Sequence, residues 1–308
     1  MAVPLPAEAG DEPRPRHHAL GKDLPGIRAI SERPGPVQRV RDVWAYRELL
    51  RNLVRKELKV KYKNSVLGFA WTLLNPALYL VVFSVVFKLI LKSQVEYYAV
   101  FLLSGLLAWN LFAAALSGST TAITGNAQLV QKVWMPREVL ALAPIGAALM
   151  HFMFQFIVLI GALVIFQLPI YWAGIPLLLF ALVVLLLLCT ALGIGLSAIN
   201  VYLRDTQHLL ELVLLAWFWF SAIVYPYKQI TDALGNKAGL ALLNPMLPIV
   251  ATFQRVIYNP APSKNILPNE SMLWYYRNLA IIGVVAFFLL LGSLHLFGRL
   301  EDNIAEEI

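Results

Sequence analysis

The sequence predicts an all-α membrane protein. It should hold six transmembrane helices, an N-terminal amphipathic helix at the interface, a cytoplasmic coupling helix and short external re-entrant or gate helices. Three observations predict it. Of 308 residues, 59% are hydrophobic and only 14% are charged, whereas a soluble domain is roughly one-quarter charged. Val139–Leu203 runs for 65 residues without Asp, Glu, Lys or Arg, too long for one span of about 20 residues and right for two. Nine Lys/Arg against three acids crowd Arg39–Lys63, directly before the first apolar stretch.

Each element follows in order. Residues 1–38 hold seven prolines and five acidic against five basic residues. They read as a disordered cytoplasmic tail with no apolar signal-peptide core. Residues 39–64 have helical patterning. Arg47, Arg51, Arg55 and Lys59 recur every fourth position, with Lys61 beyond them, while Val43, Tyr46, Leu50, Leu53 and Val54 lie on other faces and Trp44 supplies an interfacial anchor. A basic amphipathic helix of this kind lies on an anionic membrane surface. Its cations suit the phosphates of a lipid-linked substrate equally well.

Spans follow at about 66–91, 97–123, 139–168, 174–203, 208–224 and 278–298. Lys88 sits close enough to an end of the first to snorkel. Pro169 and Pro176 mark the break between the third and fourth. The positive-inside rule places the N-terminus in the cytoplasm, and six spans return residues 299–308 to the same side. The result is a multi-pass protein of the cytoplasmic membrane. Residues 126–138 form an amphipathic cytoplasmic piece. It presents Leu129, Val130, Val133 and Trp134 amid charge, which suggests a docking surface. The external segment 225–277 is too broken to span; two short re-entrant helices around Asn244-Pro245-Met246 fit better, provided protein or water covers them.

The chemistry is sparse. No Gly-x-x-x-x-Gly-Lys-Ser/Thr loop occurs, so this chain does not bind ATP in the P-loop manner. The five histidines show no metal spacing and Cys189 is the sole cysteine, so no metal, disulfide or catalytic set is expected. The net charge of +7 points to lipid head groups rather than nucleic acid. Span-embedded carboxylates are nearly absent, which argues against an ion-driven carrier. Aromatic residues are plentiful. Trp71, Asn75, Tyr79, Phe83 and Phe87 fall four apart in the first span, Trp109 lies in the second, and Trp217, Phe220 and Tyr225 lie in and after the fifth. Such a stripe suits packing and lipid contact, and it equally suits a pathway on which sugar rings slide.

Several runs, in order, resemble one family. Glu57–Pro76 is similar to the opening of ABC-2-type permeases that export polysaccharides, a family that includes O-antigen (Wzm-type), capsule, teichoic acid and mycobacterial galactan exporters. Lys132-Val133-Trp134-Met135-Pro136-Arg137-Glu138 resembles the family's Lys-x-x-x-Pro-Arg-Glu signature. Asn200–Asp205, Tyr225-Pro226, Asn244-Pro245-Met246 and Phe297–Ile308 resemble its later landmarks. One departure stands out: Ser221-Ala222-Ile223-Val224 lacks the proline that often precedes the Tyr-Pro turn.

The resemblance implies a homodimer beneath which two copies of a separate ABC ATPase dock, those subunits holding ATP and Mg. Leu129, Lys132, Val133, Trp134, Pro136, Arg137 and Glu138 would form the coupling helix, with Arg204 and Asp205 in a second contact. Arg47, Arg51, Arg55, Lys59 and Lys61 would meet the diphosphate of an undecaprenyl- or decaprenyl-linked glycan such as galactan, O-antigen or teichoic acid. The aromatics above, with Asn75, would line the channel, and short helices in 225–272 would gate it externally. Two other readings are a membrane-embedded glycan-lipid transferase and a non-transporting scaffold. The transferase needs a cluster of acids or bases at one membrane face, and the external segment offers only Asp232 and Glu270 as acids.

Overall fold

The computed structural model describes residues 35–63, 70–86, 95–133, 135–258, 267–268, 270–301 and 307. Most of the expected tail (residues 1–34), Phe87, Lys88 and Trp134 lie outside the described residues, as do the side chains of Lys61 and Asn75.

Among the described residues every regular element is helical. The chain runs through α1 (Pro36–Ala45), α2 (Arg47–Tyr62), α3 (Ala70–Val85), α4 (Tyr98–Thr121), α5 (Ala127–Lys132), α6 (Glu138–Ile165), α7 (Ile175–Tyr202), α8 (Thr206–Phe220), α9 (Tyr227–Leu234), α10 (Met246–Ile257) and α11 (Met272–Leu300). Tighter 3-10 turns occupy Thr124–Asn126, Trp172–Gly174 and Gly235–Leu243.

Four helices among the described residues are long and apolar enough to cross a membrane: α4, α6, α7 with its preceding turn, and α11. The fifth expected span corresponds to a shorter helix, and of the first the described helix is α3. α3 has 16 residues, and both of its flanks lie partly outside the described residues. α8 has 15 residues, about 22 Å at 1.5 Å per residue. Between α6 and α7, Gln167 stands at φ 52°, two residues past the end of α6, and Pro176 sits in the first turn of α7, where its missing N–H costs nothing.

α4 is the central post. It packs against α3, α6, α7, α8 and α10, and α11 lies along α7. Its apolar residues surround the whole helix, as a helix enclosed on all sides requires. Close approach comes from small residues. A Cβ added at Gly118 would stand 2.6 Å from the Pro144 Cβ on α6, so α4 and α6 meet there only because position 118 has no side chain.

The expected external segment folds as a bent pair. α9 with its following turn meets α10 at 99°. Its two ends are tied to neighbouring points. The Tyr98 hydroxyl donates to the Val224 carbonyl at 2.5 Å, and the Tyr258 hydroxyl donates to the Glu96 carbonyl at 2.5 Å. Both anchors lie at the start of α4, so the pair enters and leaves at one end of the bundle as a re-entrant hairpin rather than a broken span. Its inner leg, α10, is buried along almost its whole length between α4, α7 and α11. Gln254 on that leg donates to the carbonyls of Ala222 and Ile223, each at 3.4 Å. These bonds occupy non-helical carbonyls at that depth, where water is scarce.

Candidate functional site

Two regions gather the residues singled out above, one at each end of the bundle. At the end that holds α5, the N-terminus of α6 and the C-termini of α7 and α11, α2 lies against α6. Leu53 is buried and Leu49, Leu50 and Val54 are partly buried against this lower core. Position 146 on α6 must be glycine for this docking, because an added Cβ would fall 2.6 Å from Val54 Cγ2. With that face buried, Arg47, Arg51, Arg55 and Lys59 project outward and are exposed.

α2 is also tied to the coupling segment. Lys56 Nζ donates to Asn126 Oδ1 at 2.6 Å, and Asn126 Nδ2 donates to the Ala122 carbonyl at 2.7 Å. The helix of that segment is only α5, six residues long, after which Val133 is extended. Lys132 and Val133 are exposed, and Leu129 and Pro136 are half-buried. Arg204 and Asp205 are exposed in the turn between α7 and α8.

Arg137 and Glu138 take a different place. The Glu138 carboxylate is 2% exposed and accepts a hydrogen bond from Arg39, itself 5% exposed. Arg39 Nη2 also donates to Glu301 Oε2 at 2.8 Å, with Glu301 27% exposed. Arg137 donates to the Glu301 carbonyl, and the Tyr202 hydroxyl donates to the Leu300 carbonyl at 2.6 Å. The Arg39 guanidinium lies over Gly298, where an added Cβ would sit 2.9 Å from Nη2. Burial works against the charge on Arg39, but the hydrogen bonds and charges of Glu138 and Glu301 outweigh it and raise its pKa above the ordinary value. One cation thus joins α1, the start of α6 and the end of α11. The sequence signal was weak, because Arg39 is one base among nine and its partners are 99 and 262 residues away.

At the opposite end, the aromatics of the second and fifth expected spans meet. Trp109 packs on Phe218 and Phe112 on Trp217, with centroids 5.6 and 5.0 Å apart, both edge to face, a preferred aromatic geometry. Trp109 is therefore a buried wall, not a free surface. A cleft of about 890 Å³ opens between α8 and the outer leg of the hairpin, lined by Trp217, Phe220, Tyr225, Ile230, Leu240 and Asn244 among others. Phe220 is 69% exposed, and the Tyr225 hydroxyl donates to the Trp219 carbonyl.

Asn244 holds the cleft's shape. Its Oδ1 accepts from Trp217 Nε1 at 2.6 Å and from the Met246 backbone N–H at 2.9 Å. Its Nδ2 donates to the Phe220 carbonyl at 2.9 Å and to Ser221 Oγ at 3.2 Å. Indole and backbone N–H groups only donate and a carbonyl only accepts, so the amide orientation follows from its partners. One side chain thereby joins the frayed end of α8 to the start of α10.

The α3 aromatics stand apart from this cleft. Trp71 and Tyr79 are exposed, and Phe83 is partly buried with its ring centroid 6.0 Å from that of Tyr79. Tyr79 also faces a cavity of about 200 Å³ shared with Asn110 and Gln155, whose amides are 3.3 Å apart.

Comparison with known proteins fits this arrangement. The chain is 32% identical over 275 residues to an O-antigen export system permease protein of Myxococcus xanthus, covering 88% of this chain and all of the relative. It is 26% identical over 262 residues to an O-antigen export system permease protein of Klebsiella pneumoniae, covering 84% of this chain and 94% of the relative. The family described as ABC-2 type transporter matches residues 48–258, a stretch that runs from α2 through the whole re-entrant hairpin, and the chain belongs to that family.

Proposed function

We propose that the chain is the membrane subunit of an exporter that carries a lipid-linked polysaccharide across the cytoplasmic membrane, driven by two ATPase subunits docked beneath a permease dimer. The observation that carries the reading is similarity over 84–88% of the chain to permeases named for O-antigen export, joined to an aromatic cleft at the end away from the basic helix. In this reading the end with the basic α2 and with α5 is cytoplasmic, by the positive-inside rule, and the hairpin end is external.

ATP binding would draw the ATPases together and push on α5 through Lys132 and Val133. The Lys56–Asn126 bond would pass that push to α2, and the buried Arg39 cluster would pass it to α6 and α11. Arg47, Arg51, Arg55 and Lys59 would hold the carrier diphosphate at the cytoplasmic surface. Trp71, Tyr79 and Phe220 are exposed in the single chain and would face the pathway between two copies. Only a difference in contacts between closed and open states can shift that equilibrium.

The test is the mass of the complex in detergent after co-expression with the ATPase encoded beside it. A two-plus-two assembly that hydrolyses ATP is expected. A permease that stays alone with every candidate ATPase would overturn the reading.

A further inference from the structure

A second cleft, of about 450 Å³, opens on the far side of α9 from the first. That volume lies within the roughly 300–1,000 Å³ typical of small-molecule sites. Three walls meet there. α9 supplies Tyr227, Lys228 and Thr231, the following 3-10 turn supplies a small-residue floor that includes Gly239, and the approach to α11 supplies Glu270 and Trp274. The rings of Tyr227 and Trp274 stand 6.3 Å apart at 78° and so form an aromatic corner. Trp274 is braced from behind by Tyr275 at 5.0 Å and 81°, and the Tyr275 hydroxyl is fixed by the Pro268 carbonyl at 3.0 Å. The corner is thus held before any ligand arrives.

Lys228 and Glu270 are exposed at the rim. The Thr231 hydroxyl donates to the Lys228 carbonyl at 2.9 Å and so turns its lone pairs to other donors. The floor is open: a Cβ added at Gly239 meets nothing within 4 Å.

We infer that this cleft is a carbohydrate-binding subsite at the outer end of the protein, built to hold a sugar unit of the emerging polymer. The chemistry matches on each side. The apolar C–H face of a pyranose lies against an indole or phenol ring. Its hydroxyls are donors to a carboxylate and acceptors from an ammonium, and Glu270 and Lys228 supply one of each. An ordered aromatic corner spends little entropy on capture. A lipid tail would have no use for the two charges, and a free phosphate would be repelled by Glu270. The inference rests on the polysaccharide-export reading, and the experiment separates the two.

Export is followed in the native host by quantifying surface glycan and intracellular carrier-linked glycan while the chain is depleted and replaced by variants. Depletion that leaves surface glycan unchanged would overturn the export reading itself. Where depletion lowers it, Trp274→Ala and Gly239→Leu are each expected to cut surface glycan by about fivefold, the scale of one lost aromatic contact. Carrier-linked glycan should build up inside while ATP hydrolysis by the purified complex persists. Gly239→Leu removes no contact and fills open space, so it reports on the cleft even if Trp274→Ala fails to fold. In parallel, saturation-transfer NMR on the wild-type complex in nanodiscs uses galactotetraose, mannotetraose and maltotetraose as probes. Transfer to ring C–H protons from at least one is expected, lost in Gly239→Leu. Wild-type surface glycan in Gly239→Leu, or no transfer from any of the three probes, would overturn the subsite.

Discussion

Replacing Arg39 with alanine would strip a charge partner from Glu138, a carboxylate 2% exposed. Glu301, 27% exposed, would lose the same cation. Two acids would then face one another without the cation they share. Breaking a buried pair from one side costs about 3–5 kcal/mol, because the remaining charge stays desolvated. A chain of this size should therefore melt about 5–15 °C lower. Removing both charges with similar volume is close to neutral or even stabilising, so Arg39→Met combined with Glu138→Leu should recover most of the loss. The assay is the fraction of monodisperse protein that survives graded heating in detergent, read as relative kinetic stability because membrane proteins rarely refold. A drop smaller than about 2 °C for Arg39→Ala would refute the reasoning, since a desolvated lone carboxylate cannot cost so little. So would a double variant no better than the single one.

Other outcomes follow from the same geometry. Gly146→Leu should push α2 off α6 at the Val54 contact and cost about 1–3 kcal/mol, and Val54→Ala should partly rescue it in the same heating assay. Asn244→Asp keeps the acceptor used by Trp217 and Met246 but sets a carboxylate against the Phe220 carbonyl and loses a donor, at about 1–3 kcal/mol; a red-shifted tryptophan emission together with lowered melting checks it. Val133→Asp, at an exposed apolar position beside α5, should abolish capture of the ATPase while membrane insertion and melting stay unchanged, as read by pull-down and gel filtration. Arg51→Glu with Arg55→Glu should weaken binding of the solubilised chain to vesicles containing phosphatidylglycerol by at least about thirtyfold, since each of the two lost basic residues contributes about 1 kcal/mol at an anionic surface; unchanged binding would remove the phosphate role from that stripe.

The membrane class was legible because burial in lipid leaves a local signature. Sixty-five residues without an Asp, Glu, Lys or Arg become α6 and α7 with a proline break between them. The outward stripe of α2 was legible for a similar reason, as i+4 spacing is a property of one helix alone. The interior of the coupling end was not. Glu138 reads in sequence as part of an exposed docking run, but α1 folds across it and brings Arg39 from 99 positions away. Periodicity carries no information about which helix lies opposite. The length of α8 was also hidden. Helix ends depend on what caps them, and the end of α8 is settled by Asn244, 24 residues beyond Phe220. The Asn244-Pro245-Met246 motif could be quoted from the sequence. That its amide joins two helix ends needed the tertiary structure.

The span between Arg39 and Glu301 also sets an order of events during synthesis. Arg39 and Glu301 are 262 positions apart. At about 5–20 residues per second, Arg39 has left the ribosome on the order of 10–50 s before its last partner is made. Through that interval Arg39 can meet Glu138 but not Glu301, and α11 has not yet been delivered to the bundle. The nascent chain therefore passes through a stage in which the earlier spans are inserted while the lower end is still unlocked. Arrival of α11 acts as a closing bolt on α1, whereas α2 can already rest on α6.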